Sequence, residues 1–377
     1  MSRTGSKRHP NLKRFDEFRH PSSHLLSSFL PTMAMTEDAT SRKYVLASRA
    51  SQLAQIQTNM ALAALEALPP PSDSPKPTFT TSFMATAGDK NQSQALFLMG
   101  GKALWTKELE VALKERDVDM LVHSLKDVPT VLPDGCIIGA IMEREDPVDS
   151  LIIKKGKEDA WKTLDDLPAG SVVGTSSVRR VAQLKRNFPK LKFLDVRGNL
   201  NTRLAKLDAE DGPYAALILA KSGMVRLGMG HRITADLTPP TLFHAVSQGA
   251  LAIEIRGDDT EALKLCEAIT HKETQIRCLA ERACLRVLEG GCSVPVGVNS
   301  TFENNALTLT GCVTSLDGSE HVEHTLKEPA SSVVEAEAVG EQLAKILVAS
   351  GAGKILDDIN LDREKRTKEA EKAEKEK

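Results

Sequence analysis

The chain is predicted to be an α/β protein, with a mostly parallel sheet covered by helices on both faces and a separate α+β module following it. Three observations predict this. Short apolar runs alternate with amphipathic helical stretches between residues 44 and 255. Basic and hydroxyl residues recur where a run of strand character gives way to helix. After Glu261 the rhythm changes to two successive helices and then short alternating strands.

Taken in order, residues 44–47 form a short apolar strand, and Ser51 is placed to cap the helix that follows. That helix carries Leu53, Ile56, Met60 and Leu68 on roughly one face and ends at the prolines 69–71. Residues 78–84 read as a strand, and residues 91–102 are polar and Gly-containing, a candidate mobile loop. Residues 106–116 read as a helix with acids in its first turn, and 118–122 as a strand running into HSLKDVP at 123–129. Residues 172–173 lead into GTSSVRR (174–180) and a basic helix that stops before Pro189. Residues 192–196 feed RGNLNTR (197–203) and a helix to about Asp208. Residues 214–220 and 250–255 are two more apolar strands. In the last part, strands at 306–313 and 321–327 precede a helix ending near Gly351.

Composition removes several function classes. The formal net charge is −2 over 377 residues, which argues against a nucleic-acid or membrane-surface protein. No apolar run approaches the roughly 20 residues needed to span a bilayer. The six cysteines (136, 266, 278, 284, 292 and 312) have neither CxxC pairing nor Cys/His metal spacing, and read as reduced thiols of a reducing compartment. Residues 1–40 are rich in Ser, Pro, Arg and Lys. A transit peptide would be poor in acids, but Asp16, Glu17, Glu37 and Asp38 interrupt the segment. It is expected to be a disordered extension, with Met33 and Met35 as candidate internal starts. Residues 362–377 are a Lys/Glu run, expected to be a frayed helix or solvated tail.

Ligands of α/β folds bind outside the carboxyl ends of the strands. Four such places here are loaded: Arg49 and Ser51; Lys126 and Asp127; Thr175, Ser176, Ser177, Arg179 and Arg180; and Arg197 with Arg203. Helix N-termini, hydroxyls and guanidinium forks together make a cradle for carboxylates or phosphates. Asp127 is the odd residue among these bases. In a pocket for a multiply anionic ligand, its carboxylate must be aimed at a cationic part, such as an amine or a ring N–H gaining positive charge. EGGCSVPVG (289–297) puts Cys292 in a Gly-rich turn after a long amphipathic run, where a thiol can carry a covalent group. Alone, such a cysteine also reads as a small buried apolar residue.

HSLKDVP, GTSSVRR, RGNLNTR and EGGCSVPVG, in this order, resemble the porphobilinogen deaminase (hydroxymethylbilane synthase) family, over about residues 43–357. The resemblance implies two doubly wound halves similar to type II periplasmic binding proteins, joined by two hinge strands, and a small α+β domain bearing the cofactor cysteine. The corresponding division is 41–144 with 247–270, then 145–246, then 271–361. The implied reaction joins four porphobilinogen molecules head to tail with release of ammonia, on a dipyrromethane cofactor, and hydrolysis frees hydroxymethylbilane. By the same resemblance the cofactor is held by a thioether to Cys292. Asp127 would contact the pyrrole nitrogens and stabilise the azafulvene-like cation formed as ammonia leaves. Arg49, Ser51, Lys126, Thr175, Ser177, Arg179, Arg180, Arg197, Arg203 and Arg226 would hold acetate and propionate groups, with Gln57, Lys102 and Gln248 at matching positions. No metal, nucleic acid or membrane is implied, and a cytoplasmic monomer is expected.

Three positions depart from the family's common pattern. Leu98 stands where many relatives have lysine, Trp105 replaces a phenylalanine expected to stack near the cofactor, and Ser247 replaces a glycine at the expected hinge. Serine is strained there if the position needs positive φ. Two other classes are open to the residues themselves. A non-enzymatic polycarboxylate-binding module leaves Cys292 and Asp127 unexplained. A cysteine acyl transferase needs a histidine base beside the thiol.

Overall fold

The structure, a computed structural model, describes residues 41–70, 75–85, 106–288 and 294–375. The expected loop at 91–102, with Leu98 and Lys102, lies outside the described residues, as do Trp105, Cys292 and the extension 1–40.

The first sheet contains β1 (Lys43–Arg49), β2 (Thr78–Met84), β3 (Met120–Ser124), β4 (Cys136–Ile141) and β10 (Leu251–Arg256), in the order β2-β1-β3-β10-β4. The second contains β5 (Asp149–Ile153), β6 (Val172–Gly174), β7 (Lys192–Leu194), β8 (Ala216–Ala220) and β9 (Ala235–Leu237), in the order β7-β6-β8-β5-β9. The two orders are the same pattern. In each, three strands of βα units run parallel, and a strand arriving from the other half pairs antiparallel beside them, β10 with β3 and β4, β5 with β8 and β9. The chain therefore crosses between sheets twice, at 142–148 and 238–250.

Helices cover both faces because the strands alternate their side chains. On the first sheet, Leu46, Met120 and Val122 pack with Ala61 and Leu65 of α1 (Gln52–Glu66), while Ala47 and Leu121 pack with Leu109 and Leu113 of α2 (Lys107–Lys114). On the second, Ile153, Val173 and Ile218 meet Leu184 of α3 (Val178–Asn187). Ile152, Leu217 and Leu219 meet Leu204 and Leu207 of α4 (Leu200–Asp208) and Met224 of α5 (Lys221–Arg226) on the opposite face.

The last part has two helices, α6 (Thr260–Ala268) and α7 (Lys272–Leu288), then an antiparallel sheet β11-β12-β13 (Val296–Glu303, Ala306–Thr314, His321–Pro329). α6 packs on the first sheet, through Ala262 and Cys266. α7 lies against α8 (Val333–Leu347), and a Cβ on Gly340 would sit 2.1 Å from the Ala280 carbonyl oxygen, so only glycine permits this helix contact.

Most expected elements occur within a few residues. Four strands were not expected from periodicity: β4, β5, β9 and β11. The first three are crossover or edge strands with no helix following in the βα rhythm. The tail forms a helix, α9 (Gly353–Lys375), with Ile355, Leu356 and Ile359 packed into the core at its start.

Candidate active site

The charged motifs converge on the carboxyl ends of the parallel strands. β1 ends at Arg49, and Ser51 caps α1 by accepting from Ala54 N at 3.4 Å. Gln57, buried on α1, donates to Ser124 Oγ at 2.9 Å and so ties the helix to the end of β3. A single 3-10 turn (Leu125–Asp127) follows, anchored by buried Leu125. It leaves Lys126 half-buried and Asp127 exposed.

In the second sheet, buried Thr175 leaves β6, and its hydroxyl accepts from Ser177 N at 3.3 Å. Ser177 caps α3, accepting from Arg180 N at 3.5 Å. Both hydroxyls act as acceptors in these bonds, so each O–H remains available to donate to an anion. Arg197 pairs with Asp195 at 3.4 Å, and Arg203 Nε donates to Gly198 O at 2.8 Å. Gly198, at φ 105, is a turn position suited to glycine.

Arg179 and Arg180 are not solvated helix residues. Both are buried and share Asp149, at 2.8 and 2.7 Å, and they also donate to the carbonyls of Phe243 at 2.6 Å and Ile218 at 2.8 Å. Burial alone would raise the Asp149 pKa, but the two guanidiniums hold this carboxyl well below the usual range. Gln248 Nε2 donates to Asp149 at 2.8 Å, while its Oε1 accepts from Lys126 Nζ at 3.1 Å. One amide thus links the lysine of the first half to the arginine pair of the second.

Lys126 and Arg203 mark the field of the site. Burial lowers Lys126 to about 8, with Asp127 opposing and Arg180 and Arg179 adding to the shift. Burial and then Arg180 lower Arg203 to about 10, and Asp127 is among the charges that oppose this. Asp127, Lys126, Arg180 and Arg203 are therefore close enough to feel one another across the two sheets. Burial also lowers Arg226, whose Nη2 donates to Gly249 O at 2.6 Å on the second crossover.

A second polar cluster, which the sequence reading missed, joins the crossovers to the C-terminal sheet. Arg144 and buried Glu281 form a fork-to-fork pair at 2.7 and 3.0 Å, and Arg144 Nε donates to Gln248 O at 2.7 Å. Glu281 also accepts from Ser247 N at 2.7 Å and Ser300 Oγ at 2.6 Å. Burial would raise Glu281, but Arg144 and His244 bring it down to about 2. Ser247 does adopt positive φ, at 61°, and Gly249 sits at 93° with the Glu145 carbonyl oxygen 2.3 Å from where a Cβ would be. The signals for this cluster are a single arginine after β4 and one of two glutamates in a helix that also carries three arginines, neither of which carries its partner's address.

The donor set fits a group rich in carboxylates, such as dipyrromethane. Lys126, Arg203 and Arg226 make their described bonds to neutral oxygens of Gln248, Gly198 and Gly249. The Nε atoms of Arg180 and Arg226 are buried with no hydrogen-bond partner among the described residues. Buried donors left without a partner in this way suit an incoming acceptor group.

Comparison with known proteins agrees with this chemistry. Residues 44–264 match the family model "Porphobilinogen deaminase, dipyromethane cofactor binding domain", and residues 275–349 match "Porphobilinogen deaminase, C-terminal domain". The chain is 50% identical to the porphobilinogen deaminase of Yarrowia lipolytica, over 85% of this chain and 94% of that one. It is 49% identical to that of Nostoc sp., over 87% and 98%, and 48% identical to that of Saccharomyces cerevisiae, over 84% and 97%. Among solved structures, the methionine binding protein MetQ aligns with 62% of this chain and 91% of its own, at 13% identity and a TM-score of 0.37. That likeness is distant, and the strand order of the two sheets carries the fold assignment by itself. From the two family models and from near-complete alignment at half identity, the chain belongs to the porphobilinogen deaminase family.

Proposed function

We propose that the chain condenses four porphobilinogen molecules head to tail, releasing four molecules of ammonia, and uses one water to free the product as hydroxymethylbilane. The observation that carries this reading is one exposed carboxylate, Asp127, set in the field of Lys126 and Arg203, whose described hydrogen bonds run to neutral oxygens. Arg49, Ser51, Thr175, Ser177, Arg197, Arg203 and Arg226 hold the acetate and propionate groups, together with Lys126 and, from outside the described residues, Lys102. Arg179 and Arg180 act mainly through Asp149, setting positive potential behind the site. Gln57 and Gln248 position the 124–127 turn. Asp127 holds the ring nitrogen that gains positive charge as ammonia departs, because a carboxylate aimed at a developing cation lowers the barrier electrostatically.

Dipyrromethane, when bound, supplies the pyrrole end from which the chain is extended. Its attachment point is Cys292. In support, the other five cysteines are all buried free thiols. Burial pushes Cys136 and Cys278 up to about 11, and Cys266, Cys284 and Cys312 up to about 12, so none is a ready thiolate.

The division into three domains (41–144 with 247–270, 145–246, and 271–361) follows the same reading, supported by the three sheets and two crossovers. So does a cytoplasmic monomer acting on a small molecule without nucleic acid or membrane. No helix among the described residues is long and apolar enough to cross a membrane, and the free thiols suit a reducing compartment. The test is intact-mass measurement before and after incubation with porphobilinogen. Active protein should carry a dipyrromethane-sized excess and gain pyrrole units stepwise. The bare polypeptide mass in an active preparation would refute the cofactor claim.

A further inference from the structure

The helices that begin at the two halves of the anion site also touch each other. Asn201, in the first turn of α4, donates from Nδ2 to Gln52 Oε1, at the start of α1, at 2.9 Å. Gly223 of α5 is buried, and a Cβ on it would lie 3.0 Å from Leu200 Cδ1 and 3.7 Å from Leu53 Cδ2, side chains of the neighbours of Asn201 and Gln52. Leu53 belongs to α1 and Leu200 to α4, so the glycine is a flat floor on which the two helix starts meet.

The position of this contact in the chain gives it meaning. Gln52 follows Arg49 and Ser51 directly, and Asn201 lies between Arg197 and Arg203. Any change at the contact therefore changes the spacing between the anion groups of β1 and those after β7. The contact is also slight. Its hydrogen bond is exposed, and such a bond is worth about fivefold in an equilibrium constant. A contact of that strength can close around a ligand and release it again, which a cleft that takes up one substrate after another requires.

We propose that Gln52, Asn201 and Gly223 are positioning residues that hold the two halves of the carboxylate site at binding distance. They touch no substrate in this scheme; they act through the starts of α1 and α4, which Ser51 and Arg197 precede and to which Arg203 belongs. The inference deepens the proposed function and rests on it. A substrate bound only by the closed arrangement sees its affinity reduced by the fraction of molecules that are open.

The test has a kinetic arm and a distance arm. Gln52→Ala and Asn201→Ala should each raise the KM for porphobilinogen up to about fivefold and leave kcat nearly unchanged. Exchanging the two side chains, Gln52→Asn with Asn201→Gln, keeps their summed length and should restore KM. Gly223→Leu should wedge Leu53 from Leu200. With spin labels at Met60→Cys and Ala205→Cys in the full chain, the α1–α4 distance should lengthen or broaden in that variant. An unchanged distance with Gly223→Leu, or an unchanged KM in both alanine variants, overturns the proposal. If the unaltered chain does not consume porphobilinogen, the functional reading fails, while the distance arm still decides the contact.

Discussion

Arg180 donates from Nη2 to Asp149 Oδ1 at 2.7 Å, deep between the second sheet and α3. The same carboxylate faces Arg179 at 2.8 Å, so one buried acid serves two buried cations. Removing it leaves both guanidiniums uncompensated. Asp149→Asn should cost about 3–5 kcal/mol of stability, read as a lower urea midpoint. An unchanged midpoint would mean that the charge is not structural.

Lys126 should give substrate binding a pH limit. Its folded pKa is lowered to about 8, so the cation is present below that pH and is lost as pH rises through it. The KM for porphobilinogen should therefore climb above about pH 8. Stability should move the other way. The unfolded lysine, with its ordinary pKa of 10.5, binds a proton more tightly than the folded one. This lysine's destabilising contribution is therefore full below about 8 and is relieved between 8 and 10.5. Lys126→Met should flatten both trends, and a KM profile unaltered by that change would remove Lys126 from carboxylate binding.

Cys292→Ser should abolish product formation and the mass adduct together. Cys136→Ser should keep both, because that thiol is buried and its pKa is pushed up to about 11. Loss of the adduct from the Cys136 variant alone would reassign the attachment.

Asp127→Asn should still accept the cofactor yet lower turnover by about two orders of magnitude or more, the usual scale for losing one electrostatic stabiliser. Asp127 is exposed and has no ion pair among the described residues, so the fold should be unaffected. Normal turnover in this variant would exclude Asp127 from the chemistry.

Ser247 pays for a left-handed backbone with a side chain. Its φ is 61°, and its buried hydroxyl faces the Cys278 thiol without a conventional hydrogen-bond partner among the described residues. Ser247→Gly should stabilise the protein by about 1 kcal/mol, seen as a higher melting temperature. A lower melting temperature would show that the hydroxyl contributes more than the strain costs.

The βα rhythm, the cap at Ser51, and the loaded strand ends were legible because each is a local pattern. Period, cap and motif all lie within a few residues of chain. The same holds for the oddness of Asp127 among bases, and for the resemblance that four short strings carry.

What the tertiary structure decided concerns partners far apart in sequence. Arg179 and Arg180 are read from sequence as ligand contacts, and the fold pairs both with Asp149, whose place at the head of a crossover strand no periodicity announces. Gln248 reaches both Lys126 and Asp149, and Glu281 reaches Arg144 and Ser247, only because two crossovers and α7 meet. β4, β5 and β9 escaped notice for a related reason: they are held by neighbouring strands from remote segments, not by their own alternation. A residue's type and spacing reveal which chemistry it can perform. Whether that capacity is spent on the protein itself or offered to a ligand depends on which distant group the fold brings within three ångströms.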